Sequence, residues 1–319
     1  MRITRRPELA ARTTLGLGGT CEAELVIESA AEAGELATSL RSYGLPVYVL
    51  GHGSNILGLD GHHELVLVRP SLKEGPVEVS PSAWPEAEAA LPLMDRAGTG
   101  EVILVHAGAG VALPRLLAFC RERGLSGLEG LAGIPGSVGG AVAMNAGSFG
   151  AETAGALACV SVISSGEVAR VSRAGFRWGY RHFSIPSLPP MGEGAMPPVI
   201  AGAVFALTRA EPAAVAARMQ EHFQVKKSRQ PIASRSAGCV FKNPVEGPSA
   251  GVLLDRAGYR GRGRGGCVLS PMHANFLVNT GSGTSSDALA LLEEARSAVR
   301  ERFGVLLEYE VRMLPCRTS

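Results

Sequence analysis

The sequence predicts a mixed fold of helices and strands, and three stretches of the chain predict it. Near the N-terminus, the apolar runs AELVIES and LPVYVL enclose a segment with helical periodicity. In the middle, LACVSVIS and EVARVSR flank Ser165 and Gly166, which indicates a β-hairpin. Toward the C-terminus, the strand ANFLVN, the helix SDALALLEEARSAVRERFG and the strand VLLEYEVRML follow one another. Such a succession of strands, helices and hairpins is typical of a fold that mixes both elements.

The ends of two predicted helices are marked by capping residues. Ser29 begins a sequence with capping-box spacing before the first helix, and Gly44 stands at its exit. Thr284 and Asp287 have the same spacing before the last long helix, and Gly304 lies beyond its end. These boundaries predict one helix in each half of the chain.

The segments between these elements are predicted in the same way. EVILVHAGAG is expected to be a strand that leads into the amphipathic helix LPRLLAFCRERG, and VIAGAVFALT is expected to be a strand before a helix that begins at EPAAV. Residues 72–100 have weak periodicity and several prolines, so we expect a surface excursion there. Residues 185–198 are rich in proline and glycine and are predicted to be an insertion. We expect the main domain boundary near residues 209–215.

The composition is that of a soluble globular protein and argues against several classes of function. Hydrophobic residues make up 46% and charged residues 19% of the chain. A formal net charge of +2 and 5% aromatic residues, without basic clusters, argue against nucleic-acid binding. The N-terminus has no apolar run of the kind found in signal peptides. The longest uncharged stretch, residues 130–151, contains Pro135 and several glycines, so we expect no membrane span.

The six cysteines are scattered along the chain. There is no CxxC pair and no tight Cys/His cluster, which argues against a structural zinc site and against a disulfide framework. A reducing, cytoplasmic location fits this pattern best. Their positions are 21, 120, 159, 239, 267 and 316.

The most unusual segment, SGLEGLAGIPGSVGGAVAMNAGSFG, has glycines at every third position from 127 to 139, followed by Gly140. We expect no helix here, because glycine costs about 1 kcal/mol per site relative to alanine and Pro135 would break the interior. We predict instead a backbone wrapped around a ligand, with inward N–H groups suited to a diphosphate. The alternative is a tight crossover in which glycine serves packing alone. The GxxxxGK[ST] signature and the strand-GxGxxG-helix signature are missing.

Two further stretches of the sequence are candidates for contact with a ligand. The loop Gly51-His52-Gly53-Ser54-Asn55 follows the end of a predicted strand, where ligands bind in α/β architecture. SAGCVFKNP places Cys239 directly after a glycine and close to Lys242. Cys239 is either a thiol packed as a small hydrophobe or a proton donor or nucleophile in a ligand pocket.

Six motifs in a fixed order cover the chain from about Thr13 to Met313. They are TTLGLGGT, VLGHGSNIL, GLEGLAGIPGSVGGAVAMNAGSFG, GYR, SAGCVFKNP with QP upstream, and SPMHANFLVN followed by LEYEVRML. In this order they resemble the UDP-N-acetylenolpyruvoylglucosamine reductase (MurB) family. Any one of the motifs alone would be weak, whereas the ordered set is highly specific.

The resemblance implies an α+β protein with an FAD-binding fold of the vanillyl-alcohol-oxidase type. Two α+β FAD-binding subdomains are expected at residues 1–70 and 71–209, and a C-terminal α/β substrate-binding domain at 210–319. The implied activity is the NADPH-dependent reduction of UDP-N-acetylglucosamine enolpyruvate to UDP-N-acetylmuramate in peptidoglycan synthesis. FAD is the implied cofactor, and NADPH and the UDP-sugar are the implied small-molecule partners. We expect a monomer that binds neither nucleic acid nor membrane.

The resemblance also assigns three catalytic side chains. Arg181 stands where the family's catalytic arginine follows a tyrosine, and a guanidinium can grip a carboxylate with two parallel hydrogen bonds. Cys239 occupies the proton-donor position, in which serine is common elsewhere in the family. A thiol has a reference pKa of about 8.5 and is a far stronger acid than an alcohol, so it suits the role of proton donor. Glu310 is the glutamate just before Val-Arg in the last predicted strand, although a surface carboxylate is the alternative.

Further residues match the family's binding motifs. Gly51 to Asn55 and the glycines of 133–140 match the loops that hold the FAD pyrophosphate, and Gly108 ends a strand that runs into glycines. His273 and Asn275 are equally compatible with contact to a ligand and with closing the domain. His52 is interpreted as a residue that fills the loop and not as a base. The candidate cofactor residues are Gly51, His52, Gly53, Ser54, Asn55, Gly108, Gly133, Ile134, Pro135, Gly136, Ser137, Gly139 and Gly140. The candidate substrate residues are Tyr180, Lys242, Asn243, His273 and Asn275.

The chain departs from the family pattern at Phe183, where serine is usual, and at Met272, where lysine is usual. Two other functions are compatible with parts of the pattern. One is an FAD oxidase that uses another electron acceptor. The other is a UDP-sugar-binding protein that has lost its flavin.

Overall fold

The computed structural model describes residues 1–94, 100–188 and 196–315. The chain splits into two compact units. Unit 1 comprises residues 1–4, 23–51 and 65–225, and unit 2 comprises residues 5–22, 52–64 and 226–319. The threefold domain division inferred from the sequence stays a prediction.

The strands of the described residues are mostly short. They are β1 Arg2–Arg5, β2 Thr20–Ile27, β3 Val47–Val49, β4 Ile56–Gly58, β5 His62–Pro70, β6 Val77–Val79, β7 Val102–Gly108, β8 Leu125–Ser126, β9 Gly147–Ser148, β10 Ala151–Glu152, β11 Leu157–Ser164, β12 Glu167–Ser172, β13 Arg177–Gly179, β14 His182–Ser184, β15 Val199–Arg209, β16 Ser236–Cys239, β17 Gly263–Arg264, β18 Cys267–Leu269, β19 Phe276–Asn279 and β20 Arg312–Leu314.

The α-helices of the described residues include two long ones, α6 and α8. The full set is α1 Ala33–Tyr43, α2 Pro85–Glu88, α3 Leu113–Arg123, α4 Val138–Ala143, α5 Thr153–Ala156, α6 Pro212–Arg229, α7 Ala250–Arg256 and α8 Ser285–Phe303. No helix within these described ranges has the length and hydropathy needed to cross a bilayer.

Unit 1 is built around a sheet with the strand order β12-β11-β15-β7-β6, to which β8 adds on β15. Its central strand β15 is apolar almost throughout because both of its faces are covered. Ala203 and Phe205 enter one buried cluster, and Val204 and Ala206 enter another. A second sheet, β1-β2-β5-β3, has most of its residues in this unit, and its β3 and β5 are parallel.

Unit 2 contains the sheet β16-β19-β18-β17 and the parallel pair β20-β4. Helix α8 contributes Ala288, Leu291, Leu292 and Ala295 to the core of this unit, together with Phe241 of the segment after β16. The antiparallel sheets, the hairpins and the flanking helices confirm the predicted α+β class.

Most of the predicted elements are found. The hairpin forms as β11 and β12, with Ser164 opposite Glu167. Helix α8 has the predicted capping box at Thr284 and ends at Gly304, which has a left-handed backbone. The predicted helix α1 is present, although its first turn at Ala30–Glu32 is a 3-10 helix.

The expectation that the glycine-rich segment contains no helix is wrong. Helix α4 begins after Ser137, whose hydroxyl oxygen accepts a hydrogen bond from the Gly140 N–H at 3.3 Å. The N–H groups of Val138 and Gly139 donate to the carbonyls of Val111 and Ala109. Glycine is tolerated here because the helix is a single short turn packed against α3 and β7, and it starts beyond Pro135.

Two other expectations need correction. Residues 72–94 are not merely a surface excursion, because β6 joins the large sheet and Trp84 stacks on His106 with ring centroids 4.9 Å apart. The Trp84 ring also contacts Arg170, whose guanidinium lies 3.9 Å from the centre of the ring. The last strand is also shorter than predicted, since β20 begins at Arg312 and Glu310 precedes it. The predicted insertion at 185–198 lies partly outside the described residues.

The start of α8 has a second cap that the sequence does not show. The Asp60 carboxylate accepts hydrogen bonds from the N–H groups of Ser285 and Ser286, at 3.1 and 3.2 Å. Burial alone would raise the pKa of Asp60, but the hydrogen bonds from Ser285 and Ser286 outweigh it and lower that pKa. The charged carboxylate also suits the positive end of the helix dipole.

We therefore expect Asp60→Ala to destabilise the protein at pH 7 by about 1 kcal/mol, as for other helix caps. Because the folded-state pKa is lowered, this contribution is complete above the ordinary carboxyl pKa of about 3.9 and is lost as the pH falls through the folded value. The measurement is the thermal midpoint of both proteins between pH 7 and pH 2. Asp60→Asn keeps one acceptor, so its cap should show no such pH dependence. A difference in thermal midpoint between the wild type and Asp60→Ala that is the same at all pH values would contradict the assignment.

Candidate active site

Cys239 stands at the end of β16, opposite Phe276 of β19. The pairing shifts register between Ser236 and Cys239, and Gly238 has a φ of +75° at this irregularity. A Cβ on Gly238 would meet no atom of the described residues within 4 Å, so glycine is needed for its backbone angle. The thiol is therefore half-buried at the end of a strand and not packed in the core.

Glu310 lies beside the segment that follows Cys239. Its N–H donates to the carbonyl of Val240 at 2.9 Å, and its carbonyl accepts from the side-chain amide of Asn55 at 3.1 Å. Phe241 and Tyr309 form an isolated bridge next to these bonds. The backbones of two predicted catalytic residues are thus brought together within unit 2, and an asparagine of the predicted FAD loop holds one of them.

Asn275 is buried with 1% of its surface exposed, and its side chain binds backbone. The amide oxygen accepts from the N–H of Phe241 at 2.9 Å, and the amide nitrogen donates to the Phe241 carbonyl at 2.8 Å. The Asn275 carbonyl also accepts from the N–H of Val240. These bonds fix the residues that follow Cys239, so Asn275 supports the loop in addition to any contact with substrate.

Lys242, Asn243 and His273 also have protein partners. The Lys242 ammonium lies 3.1 Å from a carboxylate oxygen of Glu308, and the Asn243 amide oxygen accepts from the Ala250 N–H at the start of α7. His273 Nδ1 accepts from the Asn275 N–H at 3.3 Å. Burial and then the charge of Arg260 lower the pKa of His273, so the imidazole is neutral at pH 7. Their assignment as substrate residues stays a prediction.

Arg181 occupies the two-residue turn between β13 and β14, where Gly179 pairs with His182. Its φ is +55°, in the left-handed region that side chains other than glycine rarely adopt. The guanidinium donates to the Gly147 carbonyl at 3.3 Å and lies 4.9 Å from the centre of the Tyr180 ring. Tyr180 itself is 48% exposed. A strained backbone at a turn that presents a cation is typical of functional sites.

Asn145, which belongs to the MNAGSFG motif, was not among the predicted site residues. It is fully buried and has a φ of +40°. Its amide nitrogen donates to Glu152 Oε2 at 2.9 Å and to the Gly179 carbonyl at 3.0 Å, and its amide oxygen accepts from the Ala154 N–H at 2.9 Å. The only available signal was an asparagine among glycines, since asparagine tolerates a left-handed backbone.

Within unit 1, Gly51 lies beside the glycine-rich segment. A Cβ on Gly51 would come within 2.7 Å of Ser137 Oγ and 3.7 Å of Gly140, so a side chain at Gly51 would fill the space between the two loops. Gly133 and Gly136 have φ values of +78° and +117°, which favour glycine. This small surface of glycine backbone and one serine hydroxyl fits a pyrophosphate, which backbone groups approach closely.

Other glycines in the predicted set have a packing reason. A Cβ on Gly139 would lie 2.8 Å from the Ala109 Cβ, and one on Gly108 would collide with the Leu72 carbonyl. Gly53, in unit 2, has a φ of +67°, and its carbonyl accepts from the Thr14 N–H at 3.2 Å. Packing therefore accounts for Gly139 of the glycine-rich segment, whereas ligand approach at its other positions stays a prediction. The roles of His52, Ser54, Ile134 and Pro135 stay predictions.

The two departures from the family pattern have local explanations. Phe183 is half-buried against the large core of unit 1 and lies 5.1 Å, centre to centre, from the Phe176 ring. Met272 is 47% exposed, and its carbonyl accepts from the Arg260 guanidinium at 3.4 Å. No cluster of metal-ligating side chains occurs in the described parts of the chain.

Two family models match the chain, and Arg181 lies between the residues that they cover. Residues 22–169 match an FAD-binding domain, and residues 230–314 match the C-terminal domain of UDP-N-acetylenolpyruvoylglucosamine reductase. The first range contains both predicted FAD loops and Asn145, and the second contains Cys239 and Glu310. The predicted FAD-binding fold is thereby confirmed.

Curated relatives extend over the full chain. The UDP-N-acetylenolpyruvoylglucosamine reductase of Oleidesulfovibrio alaskensis is 45% identical over 98% of this chain and 98% of its own length. That of Nitratidesulfovibrio vulgaris is 42% identical over 98% of this chain and 99% of its own. The crystal structure of UDP-N-acetylenolpyruvylglucosamine reductase (MurB) from Thermus caldophilus has a TM-score of 0.74 and 33% identity, and it covers 98% of this chain and 99% of that one.

Proposed function

The chain belongs to the UDP-N-acetylenolpyruvoylglucosamine reductase family of oxidoreductases, and from that premise we propose its reaction. It reduces the enolpyruvyl ether of UDP-N-acetylglucosamine enolpyruvate to the lactyl ether of UDP-N-acetylmuramate, a peptidoglycan precursor. NADPH is the electron donor and FAD the cofactor. We propose further that the enzyme acts as a cytoplasmic monomer.

The chemistry requires a hydride at one alkene carbon and a proton at the other. FAD, when bound, supplies the hydride to the terminal carbon of the enol ether. Gly51, Ser137 and Gly140 would hold its pyrophosphate, because only the Ser137 hydroxyl and glycine backbone lie nearest to the position that a side chain on Gly51 would take. The chain's other residues bind the substrate and deliver the proton.

Arg181 binds the carboxylate of the enolpyruvyl group. Negative charge builds at the adjacent carbon during hydride transfer and spreads into this carboxylate as an enediolate. A guanidinium held in place before the reaction stabilises that charge, and such a group is worth about 3 kcal/mol of barrier. The Gly147 bond and the Tyr180 contact support this role, because they limit the orientations of the Arg181 side chain.

Cys239 donates the proton to the carbon that bears the developing charge, and the thiol becomes a thiolate that water or a neighbouring group reprotonates. Glu310 shares a proton with the enediolate oxygens. The observation that carries the proposal is the pair of backbone bonds that place Glu310 beside the residues following Cys239. A proton donor and a carboxyl group are thereby supplied by one rigid frame.

The test uses the purified yellow holoenzyme in two half-reactions. NADPH under anaerobic conditions should bleach the flavin absorbance, and the enolpyruvyl substrate should then restore it with formation of UDP-N-acetylmuramate. A colourless protein that binds UDP-sugars would favour a binding protein without flavin. Reduced enzyme that reoxidises with O2 but not with the enolpyruvyl substrate would favour an oxidase and overturn the proposal.

A further inference from the structure

We infer that Asn145 is a positioning residue for Arg181, an inference that rests on the proposed function. Asn145 lies at the end of the glycine-rich segment, just after α4. Its side-chain amide binds the Gly179 carbonyl, which is two residues before Arg181 in the β13–β14 hairpin. The bond therefore joins the segment that forms the predicted FAD loop to the turn that presents the guanidinium.

The side chain of Asn145 is fully used by the protein. An asparagine amide has two hydrogens, and those of Asn145 point to Glu152 Oε2 and to the Gly179 carbonyl. Its oxygen accepts from the Ala154 N–H. Because the residue is also fully buried, it acts on the reaction through the groups it binds and not by touching a ligand.

The same segment also holds the side chain of Arg181. Gly147, whose carbonyl accepts from the guanidinium, lies in β9 and pairs with Glu152 of β10. Glu152 is in turn an acceptor of the Asn145 amide. Asn145 thus supports both points at which Arg181 is fixed, the backbone through Gly179 and the side chain through the β9–β10 hairpin.

This arrangement matters because the turn of Arg181 is strained. A left-handed conformation at a residue other than glycine costs about 1–3 kcal/mol and persists only when its surroundings enforce it. The bond from Asn145 to Gly179 is such a restraint at the entrance to the turn. Without it, the turn can relax to a conformation that points the guanidinium elsewhere.

Asn145→Gly removes the amide without adding backbone strain, since glycine accepts the φ of +40°. We expect kcat/KM for the enolpyruvyl substrate to fall on the order of 10²-fold, the effect of displacing a catalytic group by about 1 Å. In an Arg181→Gly background the same change should cost less than about threefold, because no guanidinium remains to be positioned. Asn145→Asp would set a carboxylate against Glu152 Oε2 and the Gly179 carbonyl, so its kcat/KM should fall at least as far as that of Asn145→Gly and its thermal midpoint should be lower.

Thr153→Val is the matched control. Thr153 is buried in the same segment and its hydroxyl donates to the Ala146 carbonyl at 2.7 Å, but this bond does not reach Gly179. Its effect on kcat/KM should be the same with and without Arg181. Every variant is also measured for its flavin content, its thermal midpoint and the substrate Kd of the oxidised holoenzyme. Only the Asn145 variants should raise this Kd more in the presence of Arg181 than in the Arg181→Gly background.

The outcomes distinguish a failure of the proposed function from a failure of the positioning role of Asn145. A wild-type holoenzyme that does not reduce the enolpyruvyl substrate overturns the proposed function and this inference with it. A working wild type in which Asn145→Gly and Arg181→Gly have multiplicative effects on kcat/KM overturns the positioning role alone. So does an Asn145→Gly protein with normal kcat/KM.

Discussion

Cys239→Ala should lower the rate at which the enolpyruvyl substrate reoxidises the reduced enzyme by about 10²- to 10⁴-fold, the usual contribution of a positioned general acid. The rate of flavin reduction by NADPH should change little, because that step needs no proton from the thiol. The half-buried side chain at the end of β16 is small, so its loss leaves no large cavity. Rapid-mixing absorbance measurements of the two half-reactions test this directly.

Two variants serve as controls. Cys239→Ser keeps a proton donor of the type found elsewhere in the family and should retain most of the turnover. Cys267→Ala removes another thiol of unit 2, which is buried and donates to the Thr284 carbonyl at 3.6 Å, and should leave reoxidation unchanged. Reoxidation of the Cys239→Ala protein at the wild-type rate would show that the proton comes from another group.

Arg181→Gly should separate activity from stability. Loss of the guanidinium should lower kcat/KM by about 10²- to 10³-fold, as does removal of one preorganised donor elsewhere. Glycine adopts the φ of +55° without strain, so the thermal midpoint should stay the same or rise. A mutation that damages the fold would lower both kcat/KM and the thermal midpoint. A lower kcat/KM with an unchanged or higher thermal midpoint therefore identifies a strained functional residue.

The hairpin of β11 and β12 offers the matched control. Ser165 in its turn has a φ of +52°, close to that of Arg181. Ser165→Gly should affect stability in the same direction and leave kcat/KM unchanged. Arg181→Lys keeps the charge but loses the two-pronged geometry, and should retain part of the activity. A full loss of activity in Ser165→Gly, or none in Arg181→Gly, would contradict the assignment.

The sequence was sufficient for the features that depend on local patterns. The β11–β12 hairpin and the capping box of α8 were predicted because turn and cap residues act within a few positions of one another. Glycine spacing and motif order also predict the FAD loops, and their contact with the cofactor stays a prediction. The packing of Trp84 on His106 was not predicted, because it depends on residues distant in the chain.

Conformation and tertiary hydrogen bonds account for what was missed. The short helix α4 forms despite Gly139 and Gly140 because neighbouring strands and helices stabilise it, which overrides residue propensity. The left-handed backbone of Arg181 has no sequence signature, and the only signal for that of Asn145 is the asparagine itself. The second cap of α8 by Asp60 joins residues far apart in the chain, so spacing could not indicate it.

The isolated bridge between Phe241 and Tyr309 has an evolutionary implication, because backbone bonds from Lys242 to Glu308 and from Glu310 to Val240 flank it. Everything between Asn243 and Leu307 departs from and returns to one anchored point. Loops within that excursion are therefore free to lengthen or shorten among homologues while the spacing between thiol and carboxyl stays constant. A single-residue deletion beside the bridge, by contrast, would break the backbone bond that holds Glu310 against Val240.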